Sequence, residues 1–497
     1  MKKITALLLI LLMALSIAPV ASSDETPTKM RYLTPGTDFP MQDYVLNLVN
    51  QSLKDFGYNL DVSFIRIPWD AYEQKLNAML AAGEEFEMLH IMQDVKNISY
   101  LASRNGIIPI DDYLDKYPNI LDKFSETEWL GAMYNGKTYA VPARWRDFSR
   151  NGYLVARGDV LDKVTGGKDP ETFDEFLDVC LEMQKVIEEE IGRKPYFWYH
   201  QLANSAPWLY RTFDTFPFLV QNGLLMARQD GTIECYIETE EFKQECEAMY
   251  RLYHAGIIYP DILNAVHTQK YDEFNIGAAL PSPTFGWGDQ VALQENIPDA
   301  YVKLVWLAPE KPSLMETLCQ NLQGISATAE DPEAGLMFLD WLYAKRENHD
   351  LFCYGVEGET FTASAPDRYE PIKNEEERNL YAFDTWMIGY ISWLRFGERY
   401  PQEGIEFDTT SMPLGDGAGE AVLSVYAGFQ FDPSNVEFEY ASLQTELIAS
   451  VYPLKFGLVS YEEGYEAAIS ALKAAGLDAY MNEVTKQYTE FIAAKAK

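Results

Sequence analysis

The stretch KMRYLTPGTDFPMQDYVLNLVNQSLKDFGYNLDVSFIRIPWDAYEQKLNAMLAAGEEFEMLHIM, residues 29–92, decides the fold. Lys29 to Leu33 reads as a strand, and Thr34-Pro-Gly-Thr-Asp38 as the turn that ends it. Gln42 to Phe56 sets Val45, Leu48, Val49, Leu53 and Phe56 at helical spacing, with Gly57 as the stop. Leu60, Val62 and Phe64 alternate along a second strand, Leu60 to Ile67. A helix from about Trp69 aligns Tyr72, Leu76, Met79 and Leu80 on one face and ends at Gly83. Met88 to Met92 is a third strand. A β-α-β-α-β order implies an α/β fold with a parallel sheet under covering helices. In such sheets ligands meet the carboxyl ends of the strands. Thr34 to Asp38 and Gln93-Asp94 therefore border the expected site.

Working outward, Asn135-Gly136 marks a tight turn between two strand-like flanks. Thr172-x-x-Glu175 is a capping box, followed by an apolar stripe through Phe176, Cys180, Met183 and Ile187. A helix is expected over about Thr239 to His254 and a strand over Asn275 to Leu280. Asp331-Pro332 opens another helix, with Asp as cap and Pro in its first turn. The region after Glu462 is helical, broken at Gly476. At 497 residues the chain exceeds one core, so two or more domains are expected. No low-complexity linker divides them, which implies that the chain crosses between domains several times.

The N-terminus shows Lys2 and Lys3, an apolar run to about Ile17, then Pro19 and the small residues Ala21, Ser22 and Ser23. That is the layout of a signal peptide, residues 1–23, and the run is shorter than the ~20 residues of a membrane span. Forty basic against 76 acidic residues give a net charge of −36. Such a balance excludes nucleic acid as a partner, disfavours anionic membranes, and suits a soluble monomer. The cysteines Cys180, Cys235, Cys246, Cys319 and Cys353 form no CxxC pair and read as core residues. The five histidines form no ligand pair, so no metal and no cofactor is expected.

Several segments resemble extracellular solute-binding proteins, family 1, the substrate-binding components of ABC transporters. Trp69 to Leu89 is similar to its helix, glycine stop, acidic residue and strand. Gly106 to Tyr113 resembles its "G-apolar-apolar-P-L-D" segment, and Asn135-Gly-Lys-Thr-Tyr-Ala-Val-Pro142 its "NGKxYAVP" element. Leu154 to Asp159, Phe274 to Ala279, Asp331 to Leu342 and Tyr354 to Glu359 resemble further family elements, in family order. The resemblance implies a two-lobe, periplasmic-binding-protein-like (type II) fold with an interlobe ligand cleft. The lobes would divide as 27–143 and 318–350 for the first, and 144–317 and 351–497 for the second. It also implies an extracytoplasmic protein that carries a small solute, most often an oligosaccharide, to ABC permease transmembrane subunits. Members of the branch it resembles commonly place a lipid-anchor cysteine directly after the signal run; this chain has none there, so a lipid anchor is not expected.

Sugars present apolar ring faces and rims of hydroxyls, which aromatic faces and planar polar groups recognise. The resemblance and the strand-end rule together nominate Asp38, Asp70, Asp94, Arg144, Trp145, Arg146 and Trp287 as ligand-binding. Arg144 and Arg146 could pair with a uronate carboxylate, or with this chain's own acids, which is the favoured reading. Trp198, Tyr199 and Trp208 form a second aromatic patch, read as core of the second lobe. Trp386 and Trp393, seven apart, read as one packed helical face. Two other readings stay open. A secreted hydrolase would need two carboxylates about 5 to 10 Å apart across a sugar cleft. A peptide-binding or sensing module would use the same cleft without a transporter.

Overall fold

The computed structural model of the chain describes residues 26–93, 96–198, 208–316 and 318–495. The expected signal segment, Asp94 and Tyr199 lie outside these residues. The opening stretch forms β1 (Thr28–Pro35), α1 (Gln42–Phe56), β2 (Leu60–Ile67), α2 (Tyr72–Ala82) and β3 (Met88–Met92). Gly57 and Gly83 end the helices at φ 111° and 67°, a left-handed geometry that a side chain would strain.

β1 runs parallel to β2 and β3. β4 (Ala140–Ala143) and β5 (Asn321–Ile325) complete a sheet of order β2-β1-β3-β5-β4. β5 is antiparallel to both neighbours, so its first residue, Asn321, pairs with Met92 and Ala143. One edge of the sheet therefore gathers the ends of β1, β2, β3 and β4 with the start of β5. Side chains alternate between faces, as a pleat demands. Met30 and Tyr32 pack with α1 and with Leu336 and Leu339 of α3 (Pro332–Ala344). Leu33, Leu89 and Ile91 pack with Leu76 and Met79 of α2 on the other face. Asp331 caps α3 by accepting the Glu333 N–H at 2.9 Å.

A second core gathers residues 154–314 and 426–488. Leu154–Arg157 pairs antiparallel with Val302–Val305, and a three-stranded meander runs from Phe218 to Cys235. The Thr172–Glu175 capping box is present, with the Thr172 N–H donating to Glu175 at 3.2 Å. Trp198 and Trp208 are buried here, and Trp198 stacks on Tyr259 at 4.8 Å. The final helices, Tyr461–Ala474 and Leu477–Lys495, bury Leu472, Tyr480 and Tyr488 in the same core.

Three expectations change. Asn275 to Leu280 is not a strand: a helix ends at Asn275, and Gly277 at φ 80° breaks any pleat, leaving a single bridge from Ala279 to Tyr196. Trp386 and Trp393 do not share a helix, because Thr385–Ile388 stops before Gly389 and Ile391–Trp393 is a separate 3-10 turn. The segment after residue 350, assigned from the sequence to the second lobe, first packs in the first. Phe352, Tyr354, Phe361, Tyr381, Phe383 and Ile388 join the core of α1 and α3. All five cysteines are buried free thiols. Among the described residues no helix is long and apolar enough to cross a membrane.

Candidate functional site

The carboxyl ends of β1 and β2 hold Asp38 and Asp70. Asp38 accepts from Gln42 Nε2 at 3.1 Å, and its carbonyl accepts from Arg378 at 2.8 Å. Asp70 is exposed in the 3-10 turn Trp69–Ala71. Its neighbour Trp69, absent from the expected site, is 54% exposed. The Trp69 ring lies 5.7 Å from Trp386 at 31°, and Trp386 stands edge-on to His90 at 5.2 Å. His90 on β3 shares a 3.1 Å hydrogen bond with Asn321 at the start of β5. The result is an aromatic shelf anchored to the middle of the sheet.

Arg66 at the end of β2 also escaped the sequence reading. Its side chain is 3% exposed, 3.9 Å from Asp384, with the guanidinium 4.7 Å from the Phe39 ring and 5.5 Å from Phe383. Gly36, at φ 117°, makes room, since a Cβ there would overlap Arg66 Nη2. Burial lowers the Arg66 pKa, against the pull of Asp384. Its Nε and Nη1 have no acceptor among the described residues.

Burial also pushes His90 down to about 3, against the hydrogen bonds from Asn321 and Gln323 that favour its charged form. His90 is therefore neutral and serves as a spacer under Trp386. The unfolded chain takes up this proton below its ordinary value of 6.5, and the folded chain does not. The stability His90 contributes is thus complete above 6.5 and is lost progressively as pH falls toward 3. We expect the denaturant midpoint to fall as pH drops through that window, and His90→Gln to flatten part of the slope. An unchanged slope would assign the acid sensitivity to other groups, with buried His349 first in line.

Arg144, Trp145 and Arg146 follow β4 where the chain leaves the first lobe. Arg144 is anchored: its N–H donates to Gly389 at 2.9 Å, and its guanidinium meets Glu128 at 3.2 Å, Asp147 at 3.5 Å and Ser411 at 2.9 Å. Arg146 lies 5.0 Å over Trp145 and 4.9 Å over Phe148. Trp287 is half-buried in the second lobe, 6.4 Å from Phe407 and packed on Gly404. Trp306 joins it there, 5.7 Å from Tyr153 and 6.1 Å from Phe407. Trp145 Nε1, Arg146 Nε and Trp287 Nε1 are buried donors without an acceptor among the described residues. Tyr153, Trp306 and Phe407 gave no positional signal, because each sits in a segment whose neighbours look like ordinary core.

One constellation mimics a catalytic triad. Cys353 Sγ is 3.6 Å from His349 Nε2, and His349 Nδ1 is 3.7 Å from Asp350. Cys353 and His349 are both 0% exposed, and burial holds the thiol well above its ordinary pKa. Cys353 and His349 are sealed in the core, while Asp350 is 14% exposed and paired with Arg395 at 2.8 Å, so the thiol and imidazole do not meet solvent.

The bacterial extracellular solute-binding protein family matches residues 48–374, and a domain of unknown function (DUF3502) matches residues 425–493. Among solved structures, the chain is similar to the N-glycan transport solute binding protein NgtS of Streptococcus pneumoniae. That match has 17% identity, covers 94% of this chain and 100% of that one, and reaches a TM-score of 0.71. NgtS in complex with Man5GlcNAc matches at 18%, 94%, 99% and 0.63. The HMO-binding, ABC-transporter-associated solute binding protein of Bifidobacterium longum infantis matches at 14%, 94%, 100% and 0.61. The substrate binding protein FusA of S. pneumoniae, in complex with kestose, matches at 14%, 94%, 100% and 0.59. With the family spanning residues 48–374 and the two-lobe fold shared along 94% of the chain, this protein belongs to the bacterial extracellular solute-binding proteins.

Proposed function

We propose that this protein captures a neutral oligosaccharide between its lobes and delivers it to the transmembrane subunits of an ABC importer. The observation that carries the reading is a pair of unlike walls. The first lobe offers an exposed Trp69 face backed by Trp386. The second side offers the part-exposed side chains of Trp145, Arg146 and Trp287, whose inward N–H donors have no acceptor among the described residues. Apolar ring faces and hydroxyl acceptors on one solute would satisfy both. Asp38 and Asp70 stand at the first wall as acceptors for hydroxyl protons. The engagement of Arg144 with Glu128 and Asp147 favours a neutral sugar over a uronate, since its charge is already balanced. The glycan complexes of NgtS and FusA support the class of solute. Export and permease docking follow from the family and are part of the proposal.

Thermal unfolding against Man5GlcNAc, kestose, milk oligosaccharides, a uronate series and peptides tests this. A ligand at about 100 times its Kd stabilises by roughly 2.7 kcal/mol, a plain shift in midpoint. We expect a shift with a neutral glycan that is recovered intact. A shift with peptides alone would overturn the carbohydrate reading, and released sugar products would favour the hydrolase. Trp287→Ala should weaken the responding glycan by about tenfold or more in a folded protein. Unchanged calorimetric affinity would remove Trp287 from the site.

A further inference from the structure

Residues 425–493, the part matched by the domain of unknown function, are joined to the two lobes very unequally. To the second lobe they are welded. Tyr426, Phe429, Tyr480 and Tyr488 lie in its core, with Phe429 stacked on Tyr488 at 3.8 Å. Lys455 and Glu245, both at most 2% exposed, face each other at 3.8 Å. To the first lobe they are joined by a few polar links. Ser99 donates to the Phe431 carbonyl at 2.7 Å, and Tyr134 donates to Asp432 at 3.1 Å. Arg104 meets Glu437 at 3.0 Å on the surface. Gly428, at φ 90°, lies flush against the Leu130 carbonyl, which a Cβ would approach to 3.2 Å.

Two features make this seam a device rather than an incidental contact. Asp432 is fixed from behind: its N–H donates to Gln487 at 3.0 Å, and Gln487 donates back to its carbonyl at 2.8 Å. Its carboxylate is thereby presented to Tyr134 from a rigid mount on the last helix. The seam is also loosely filled. A cavity of about 670 Å³ separates Leu130, Met133 and Tyr134 from Phe429, Gln487 and Phe491. Each of these links hangs on one side chain of the first lobe, so each is separable from the fold.

We propose that residues 425–493 are a strap that holds the lobes in the arrangement seen here and opposes their closure on solute. In this arrangement the first wall is uncovered: Trp69 is 54% exposed, and its ring neighbours, Tyr72 and Trp386, belong to its own lobe. Covering Trp69 requires one lobe to turn about the crossing segments. The strap moves with the second lobe, while Ser99 and Tyr134 stay with the first. A shift of about 1 Å takes both the 2.7 Å and the 3.1 Å hydrogen bond out of range, so a closing turn that moves the strap away from the first lobe breaks both. The two hydrogen bonds, the Arg104–Glu437 pair and the Gly428–Leu130 contact together set the bias, and the two hydrogen bonds are the parts a single hydroxyl deletion removes. Closure then has a built-in threshold that only a well-fitted solute overcomes. The glycan arm of the test rests on the proposed function, and the distance arm does not.

The experiment is a double-label distance measurement on the full mature protein. Cysteines introduced at exposed Lys75 and Lys168, one on each lobe, take spin labels, because the native cysteines are buried. Without ligand, Tyr134→Phe and Ser99→Ala should each displace the distance distribution from that of the unmutated strap, and the double variant more so. Each variant should also tighten Man5GlcNAc, or whichever panel glycan responds, by about two- to tenfold. Both substitutions remove one hydroxyl and keep the side-chain shape, so the fold survives. A displaced distribution without any glycan binding would retain the strap and remove the glycan reading. Identical distributions in the folded double variant would overturn the strap, and so would weaker glycan binding.

Discussion

Replacing Arg211 with Met should destabilise the second lobe by about 3 to 5 kcal/mol, the largest effect of any single substitution considered. Arg211 is 3% exposed and donates to four carbonyls of one turn: Leu307 at 3.2 Å, Ala308 at 3.1 Å, Lys311 at 2.5 Å and Pro312 at 2.6 Å. That turn bends sharply, with Ala308 at φ 49°, a conformation that a β-carbon disfavours. Removing the guanidinium leaves buried acceptors unmatched and frees a strained backbone. Burial lowers the Arg211 pKa, so its charge is held there at a cost that only the full set of hydrogen bonds offsets. Lysine offers a point charge rather than a planar fork, so Arg211→Lys should recover part of the loss. Chemical denaturation followed by tryptophan fluorescence reads both. The turn leads from Trp306, so glycan affinity should fall as well. A midpoint within about 0.5 kcal/mol of wild type would show that the turn holds itself.

The fold was legible where period and punctuation agreed. Residues 29–92 alternate between spacings of two and of three to four, and Gly57 and Gly83 mark both helix ends. The Thr172 capping box and the Asp331 cap were readable because each needs only its own neighbours. What stayed hidden depended on distant packing. Gly277 looks harmless in a strand until its φ is known. The apolar residues from Phe352 to Ile388 announce burial but not which core buries them. The seven-residue spacing of Trp386 and Trp393 imitates a helix that Gly389 interrupts. The same division holds at the candidate site. Strand order put Asp38 at the sheet edge, and Asp70 was nominated by its place in a similar loop. Arg66 resembles any surface residue at the end of a strand. It is buried because Gly36 leaves space for it and Phe39 and Phe383 flank its guanidinium. Trp69 stood next to a nominated residue and was counted instead as the first turn of a helix.

Trp69→Ala should weaken glycan binding by about 30-fold or more, near 2 kcal/mol, while leaving stability almost unchanged. A side chain that is 54% exposed contributes little to folding, so its loss should be silent in denaturation. Its shelf is rigid: Trp386 lies behind it at 5.7 Å, held edge-on by a neutral His90 that is itself tied to Asn321. A stacked sugar would therefore gain contact without the cost of ordering the ring. Trp287 should matter less, because Phe407 and Gly404 already cover part of it and less of its surface is left for a solute. Trp69→Phe keeps a smaller face and should fall between wild type and alanine. Isothermal titration with the responding glycan ranks the three, and the exposed indole should blue-shift on binding as closure removes water. Equal affinities for wild type and alanine would move the solute off the first wall. The donors of Trp145, Arg146 and Trp287 would then have to hold it alone, and the expected order of the two tryptophans would reverse.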